Sequence, residues 1–414
     1  MLRFPSPSVP THSSFFPSGA LGALASLARD WEGVRTLLPG TAVALLLFLF
    51  TPSANAWSTK EHIVLTRLAA IRLVADPATP ADMKAWLRDS FPGIGADVAS
   101  QRDYLLHARL GPFPRGVDGT AFWAVVPDLE ALIDSGTPSD RVKKVQPFGV
   151  GERQLHFIDV EYFMPEESRR RYRPDLSNKP RAADFPRDMT DPRYARAGML
   201  PFRVEQCRRE LINAIKKGRL VDKPGQFPRD EHASKWAGML AHYAQDNTQP
   251  HHATADYKSA TYFSANPRGA PNVHADMEYR LVDDDYADYP ELRRAFWDAF
   301  SKAVEAARDP VGTDGDLFRS TLEVSMASYD ALPLIGEAAV AAYGAAGGGR
   351  PRDFNAEAFY THRSRVRGEE MSLLEMKARQ MAWAERRVET LWLRAWNEAN
   401  ATPPAHASKP QAGN

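Results

Sequence analysis

The chain has 414 residues, 43% of them hydrophobic and 25% charged, and its 52 basic residues balance 52 acidic ones. That balance leaves no global field to advertise nucleic acid or an anionic membrane as a partner, and a single cysteine, Cys207, excludes an intramolecular disulfide. The length suffices for one large domain or two ordinary ones with a substantial core.

In chain order, the first strong signal is the apolar run Leu37 to Phe50, followed by Thr51-Pro-Ser-Ala54-Asn55-Ala56-Trp57. The run is too short for a membrane span, which needs roughly 20 residues, and a small-residue Ala-x-Ala site follows at once. Residues 1–56 therefore read as a leader and signal peptide, with the mature protein beginning at Trp57 and exported to the periplasm or beyond. Ser58-Thr-Lys-Glu61 is a capping box that opens a helix carrying Ile63, Leu65, Leu68, Ile71 and Leu73 and places His62 in its first turn. Apolar periodicity predicts further helices near 80–90, 122–134, 203–218, 231–247, 274–282, 290–307, 318–345 and 369–398.

Period-2 strand patterns are scarce. The predicted fold class is therefore all-α: a single multi-helix domain over 57–400, with a Pro- and Arg-rich insertion at about 165–200. Gly347-Gly-Gly349 breaks the chain before the final helices, and the tail at 401–414 reads as disordered.

The densest chemistry lies between His242 and Glu278. His242 and Asp246 are four residues apart, as are His274 and Glu278, so on helices each pair projects from one face and can grip one cation. Imidazoles mixed with carboxylates, and no thiolate nearby, favour zinc over calcium or an iron–sulfur centre. One such pair alone is more simply a surface ion pair. Two pairs, with His252 between them, shift the balance towards a metal centre. His156, in Gln154-Leu-His-Phe-Ile-Asp159, would alone be a satisfied core histidine. Its weight comes from His62, His242, His252 and His274. His107, His232 and His251 fit either a supporting place around the ligands or the plain surface.

In their order and spacing, these pieces resemble the bacterial zinc-dependent phospholipases C and the single-strand-specific zinc nucleases, which share one superfamily. The matching elements are Trp57 after an Ala-x-Ala cut, Trp57-x4-His62, an acidic residue before His-Phe-Ile-Asp, His-x3-Asp-x5-His with Gln-Pro in the gap, and His-x3-Glu. The resemblance covers about Trp57 to Glu278 and implies a helical domain with three zinc ions. One ion would be held by Asp128, His156, His242 and Asp246, and a second by His252, His274 and Glu278. The third would take the amino group and carbonyl of Trp57 with His62 and Asp246. Asp97 and Asp103 compete with Asp128 for the acidic place.

The implied chemistry is hydrolysis of phosphoric esters by metal-activated water, with Asp128 orienting that water as general base. Glu278 is the phospholipase-like ligand. The Trp57-to-His62 spacing is nuclease-like, without the nuclease glycines, and Gln245 stands where the nucleases usually carry glycine. The expected substrate is a phospholipid, with single-stranded DNA or RNA as the alternative and a non-catalytic zinc-stabilised binding protein as the second alternative; no protein partner is indicated. Arg169-Arg-Arg171-Tyr172-Arg173 with Arg181, Arg187, Arg193 and Arg196 would either track a phosphate backbone or pair with the acids of its own loop. Phe122, Trp123 and Tyr162 would line a pocket or belong to the core.

Overall fold

Ser58 and Glu61 close the predicted capping box from both sides: Glu61 N donates to Ser58 Oγ at 3.3 Å, and Ser58 N donates to Glu61 Oε2 at 2.9 Å. They open helix α1, Thr59–Ala75, which ends where Pro77 disfavours helical backbone at Asp76. The computed structural model describes residues 57–88, 98, 116–136, 148–169, 174–220, 232–263, 270–282, 289–308, 315–344 and 354–401. The leader and its cleavage site, Asp97, Asp103, His107, Arg170 to Arg173, the Gly347–Gly349 break and the tail from Thr402 lie outside the described residues.

Helices α2 (Ala81–Arg88), α3 (Gly116–Trp123), α4 (Val126–Gly136), α5 (Leu200–Lys216), α6 (Ala233–Asp246), α7 (Val273–Tyr279) and α8 (Pro290–Ala306) follow. The rest is α9 (Leu317–Tyr329), α10 (Leu332–Tyr343), α11 (Ala356–Thr361), strands β1 (Arg363–Val366) and β2 (Glu369–Ser372), and the long α12 (Leu373–Asn400). The described residues belong to one compact unit. They are mostly helical, and none of their helices is long and apolar enough to cross a membrane.

Proline accounts for two departures from the predicted helices. The 122–134 helix is broken between Trp123 and Val126, because Pro127 has no N–H and its ring would strike the carbonyl of Trp123 in a continuous helix. The 318–345 helix is divided into α9 and α10, with Pro333 accommodated in the first turn of α10. The last predicted helix starts later than 369, because residues 363–372 form a two-stranded antiparallel hairpin in which Val366 pairs with Glu369. Its two-residue turn, Arg367-Gly368, has positive φ at both positions, the geometry that matches strand twist. The insertion at 165–200 is not featureless. Short helical turns occupy Glu166–Arg169, Leu176–Asn178, Ala182–Asp184 and Tyr194–Ala197, and α5 begins inside its C-terminal end.

Helix α6 lies centrally, against α1, α3, α5 and α12. Its small residues permit this: Ala237, Gly238, Ala241 and Ala244 are buried or in close contact. A Cβ on Gly238 would sit 2.3 Å from the Thr120 carbonyl oxygen and 2.5 Å from Trp123 Cβ, so only glycine allows this approach to α3. His242 stands one turn further along α6 and is thereby brought to the α3–α4 junction.

Candidate metal centre

Four helices and two turns deliver the predicted ligand side chains to buried positions. His62 comes from the first turn of α1, Asp128 from the first turn of α4, and His242 and Asp246 from the last turns of α6. His156 follows the turn Glu152–Leu155. Asp246 joins the group: its Oδ1 is 3.4 Å from His62 Nε2, and its Oδ2 is 3.0 Å from His156 Nδ1 and 3.1 Å from His242 Nε2. Asp128 lies opposite, 3.7 to 3.8 Å from the same three nitrogens. The His62 and His242 rings stack with centroids 4.1 Å apart. His252, His274 and Glu278 form a second group whose donor atoms lie within 4.8 Å of one another.

The structure thus assembles the side chains of every ligand set that the resemblance implies. Asp128 lies within 3.8 Å of three of these histidines, while Asp97 and Asp103 lie outside the described residues. Trp57 is fully buried and is held by its indole, which donates to the Gln245 carbonyl at 2.9 Å, one residue before Asp246.

Each of three imidazoles donates its outer nitrogen to a fixed acceptor. His62 Nδ1 meets Gln245 Oε1 at 2.5 Å, His242 Nδ1 meets the Ala124 carbonyl at 2.7 Å, and His252 Nδ1 meets the His156 carbonyl at 2.7 Å. A proton on each Nδ1 leaves the Nε2 lone pair as the donor, which is how ligand histidines are oriented. Gln245 is itself fixed by donating to Thr66 Oγ1 at 2.9 Å. Gln249 explains the Gln-Pro in the motif, since it donates to Glu278 Oε1 at 2.9 Å while its own oxygen accepts from His251 N at 2.6 Å. Ala124 and these two glutamines were not singled out by sequence as ligand-orienting groups; only the oddity of Gln245 at its motif position pointed that way.

Electrostatics favour a cation. Burial holds His62, His156 and His274 well below the ordinary imidazole range, with neighbouring imidazoles adding to the effect. Burial also takes His242 down to about 3. Burial pushes Asp246 and Glu278 well above the usual carboxylate range; for Asp128 the Asp246 charge adds to burial. Neutral imidazoles cannot compensate two adjacent buried carboxylates. Among the described residues, both Asp128 oxygens, Asp246 Oδ1, Glu278 Oε2 and His62 Nε2 are buried without a hydrogen bond. Cations in the two groups would satisfy them, so the buried histidine and acid groups can hold metal ions.

The raised carboxyl pKa values fix the sign of a linked proton. Burial favours the protonated form of the carboxyls and the neutral form of the histidines, so a bound cation that ionises the carboxyls favours proton release. Metal titrations followed by calorimetry in buffers of different ionisation enthalpy should show net proton release on binding. Identical heats in all buffers would count against this charge assignment.

The other candidates separate clearly. His251 is buried beside His274, with ring centroids 5.0 Å apart, and its Nε2 lies 3.0 Å from Ser259 Oγ. His232 is half-buried and precedes α6. Trp123 is buried under Lys235, and Tyr162 packs against the main core with Arg196 over its ring. In the insertion, Arg181 pairs with Asp184 and Arg193 with Asp191 at 2.9 and 2.8 Å, while Arg187 reaches outside the loop to Glu205 and Asp316. Searches among family models, curated proteins and solved structures gave no match to this chain.

Proposed function

We propose that the protein is a zinc-dependent phosphoric ester hydrolase, exported and trimmed to begin at Trp57, that works with three zinc ions on phospholipids in the manner of a phospholipase C. The observation that supports it most is the pairing of two buried His/Asp/Glu groups with outward-donating Nδ1 atoms on three of their imidazoles. The nitrogen and carboxylate donors, without sulfur, suit zinc.

Zinc bound there would supply Lewis acidity and lower the pKa of water from about 15.7 towards 7. The protein's own part is positional. His62, His242 and His252 are held in the ligating tautomer by Gln245 and two main-chain carbonyls. Asp246 faces His62 with one oxygen and His156 and His242 with the other. Asp128 has both oxygens turned to the site and accepts no hydrogen bond among the described residues, so it is the carboxylate available to orient the attacking water and take its proton. Burial of the whole group excludes bulk water and strengthens each of these interactions.

The lipid reading is preferred on two observations. Glu278 is the phospholipase-like ligand, and the described arginines Arg181, Arg187 and Arg193 are already engaged by acids, which leaves them little charge to offer a phosphate backbone. Zinc-loaded protein should hydrolyse phosphatidylcholine vesicles and leave single-stranded DNA and RNA intact. Cleavage of nucleic acid alone would establish the nuclease reading. A zinc-replete protein that cleaves neither class would be a zinc-stabilised binding protein, and the catalytic proposal would be wrong.

A further inference from the structure

Lys377, in the second turn of α12, is fully buried, donates to two main-chain carbonyls and pairs with one carboxylate. Its Nζ is 2.6 Å from Glu61 Oε1 and donates to the carbonyls of Met277 and Glu278 at 2.5 and 3.1 Å. Glu61 precedes His62, and its second oxygen closes the capping box on Ser58. Glu278 belongs to the other metal group. The ammonium also lies 5.8 Å from the centre of the Trp57 ring. One side chain from near the C-terminus therefore joins the start of α1 to the end of α7. Stability alone does not call for such a device, because a buried ion pair can usually be exchanged for apolar residues at little or no loss.

We propose that Lys377 is a positioning residue of the metal centre. By bridging the Glu61 carboxylate and the Met277 and Glu278 carbonyls, it sets the distance between the Trp57–His62 segment and α7, so that the His62 and Glu278 groups take up metal as one unit. This rests on the zinc reading above.

The test is zinc titration against a competing chromophoric chelator, using purified protein stripped of metal. The Glu61→Gln/Lys377→Met double variant removes both charges and avoids stranding one of them, as the single Lys377→Met would do. Wild-type protein should fill in one cooperative step. The double variant should fold, as judged by circular dichroism and a cooperative melt, and should fill in separate steps, the weaker with affinity reduced about 10–100-fold. A double variant that melts lower but titrates like wild type overturns the proposal, since that is the mark of a structural role only. Failure to fold in excess zinc overturns it equally, because the pair then supports the fold and not the site. If wild-type protein takes up no zinc, the functional reading itself fails, an outcome distinct from either of these.

Discussion

Asp246→Ala should empty both halves of the larger metal group and abolish turnover. The two oxygens of the Asp246 carboxylate divide between His62 on one side and His156 and His242 on the other at 3.0 to 3.4 Å, closer than those of Asp128, which divide in the same way at 3.7 to 3.8 Å. Its loss leaves Asp128 as the sole carboxylate among three imidazoles, too little negative charge to hold two cations. Metal catalysis of this kind supplies several kcal/mol to the transition state, so the rate should fall by at least about a thousandfold. Stability should follow the metal. At a hundredfold excess over Kd, each site lost removes about 2.7 kcal/mol of linkage stabilisation. Wild-type protein should therefore melt lower after chelation, whereas the variant should show a smaller drop, that of the His252, His274 and Glu278 group alone. Wild-type zinc content in the variant, measured by elemental mass spectrometry, would refute the bridging role of Asp246.

Protein beginning at Trp57 should bind about three zinc ions, and protein with one additional residue ahead of Trp57 about two. The chemistry is that of the chain terminus. A free α-amine, with a pKa near 7.7–8.0, offers a lone pair close to neutral pH, whereas extension converts it to an amide whose lone pair is delocalised into the carbonyl. The surroundings are already in place: Trp57 is fully buried, its indole is tied to the Gln245 carbonyl, and the His62 and Asp246 side chains lie 3.4 Å apart. The donors lost belong to one ion, because the His252, His274 and Glu278 group takes no ligand atom from the terminus. Equal zinc content in the two forms would remove Trp57 from the ligand set and would leave the larger group with side-chain donors only.

How far the sequence leads depends on the range of each interaction. The Ser58–Glu61 box was readable because its bonds span three residues, and both form as expected. The i, i+4 spacing of His242 with Asp246, and of His274 with Glu278, was readable for the same reason. The helix breaks at Pro127 and Pro333 were also written in the chain, but apolar periodicity continues across both and concealed them. The Arg363–Ser372 hairpin escaped because neither four-residue strand alternates apolar with polar residues. Asp128 was placed by resemblance alone, since nothing local to Val125-Val-Pro-Asp128 marks it as a ligand; the fold sets it 3.7 to 3.8 Å from His62, His156 and His242. Lys377 was out of reach altogether: its partners Glu61 and Glu278 belong to segments far away in the chain, and an amphipathic helix gives no sign that one of its lysines faces inward.

Two of the three imidazole orientations depend on peptide carbonyls, those of Ala124 and His156, and the third depends on the side chain of Gln245. Every amino acid supplies a carbonyl, so sequence drift at position 124 leaves the His242 acceptor in place. At position 245 a single exchange changes the acceptor itself: glutamate would make the His62 imidazole more basic and glycine would release it. On the zinc reading, His62 would therefore be the adjustable ligand of the proposed centre, the place where metal affinity can be retuned by one codon while His242 and His252 stay fixed by the backbone.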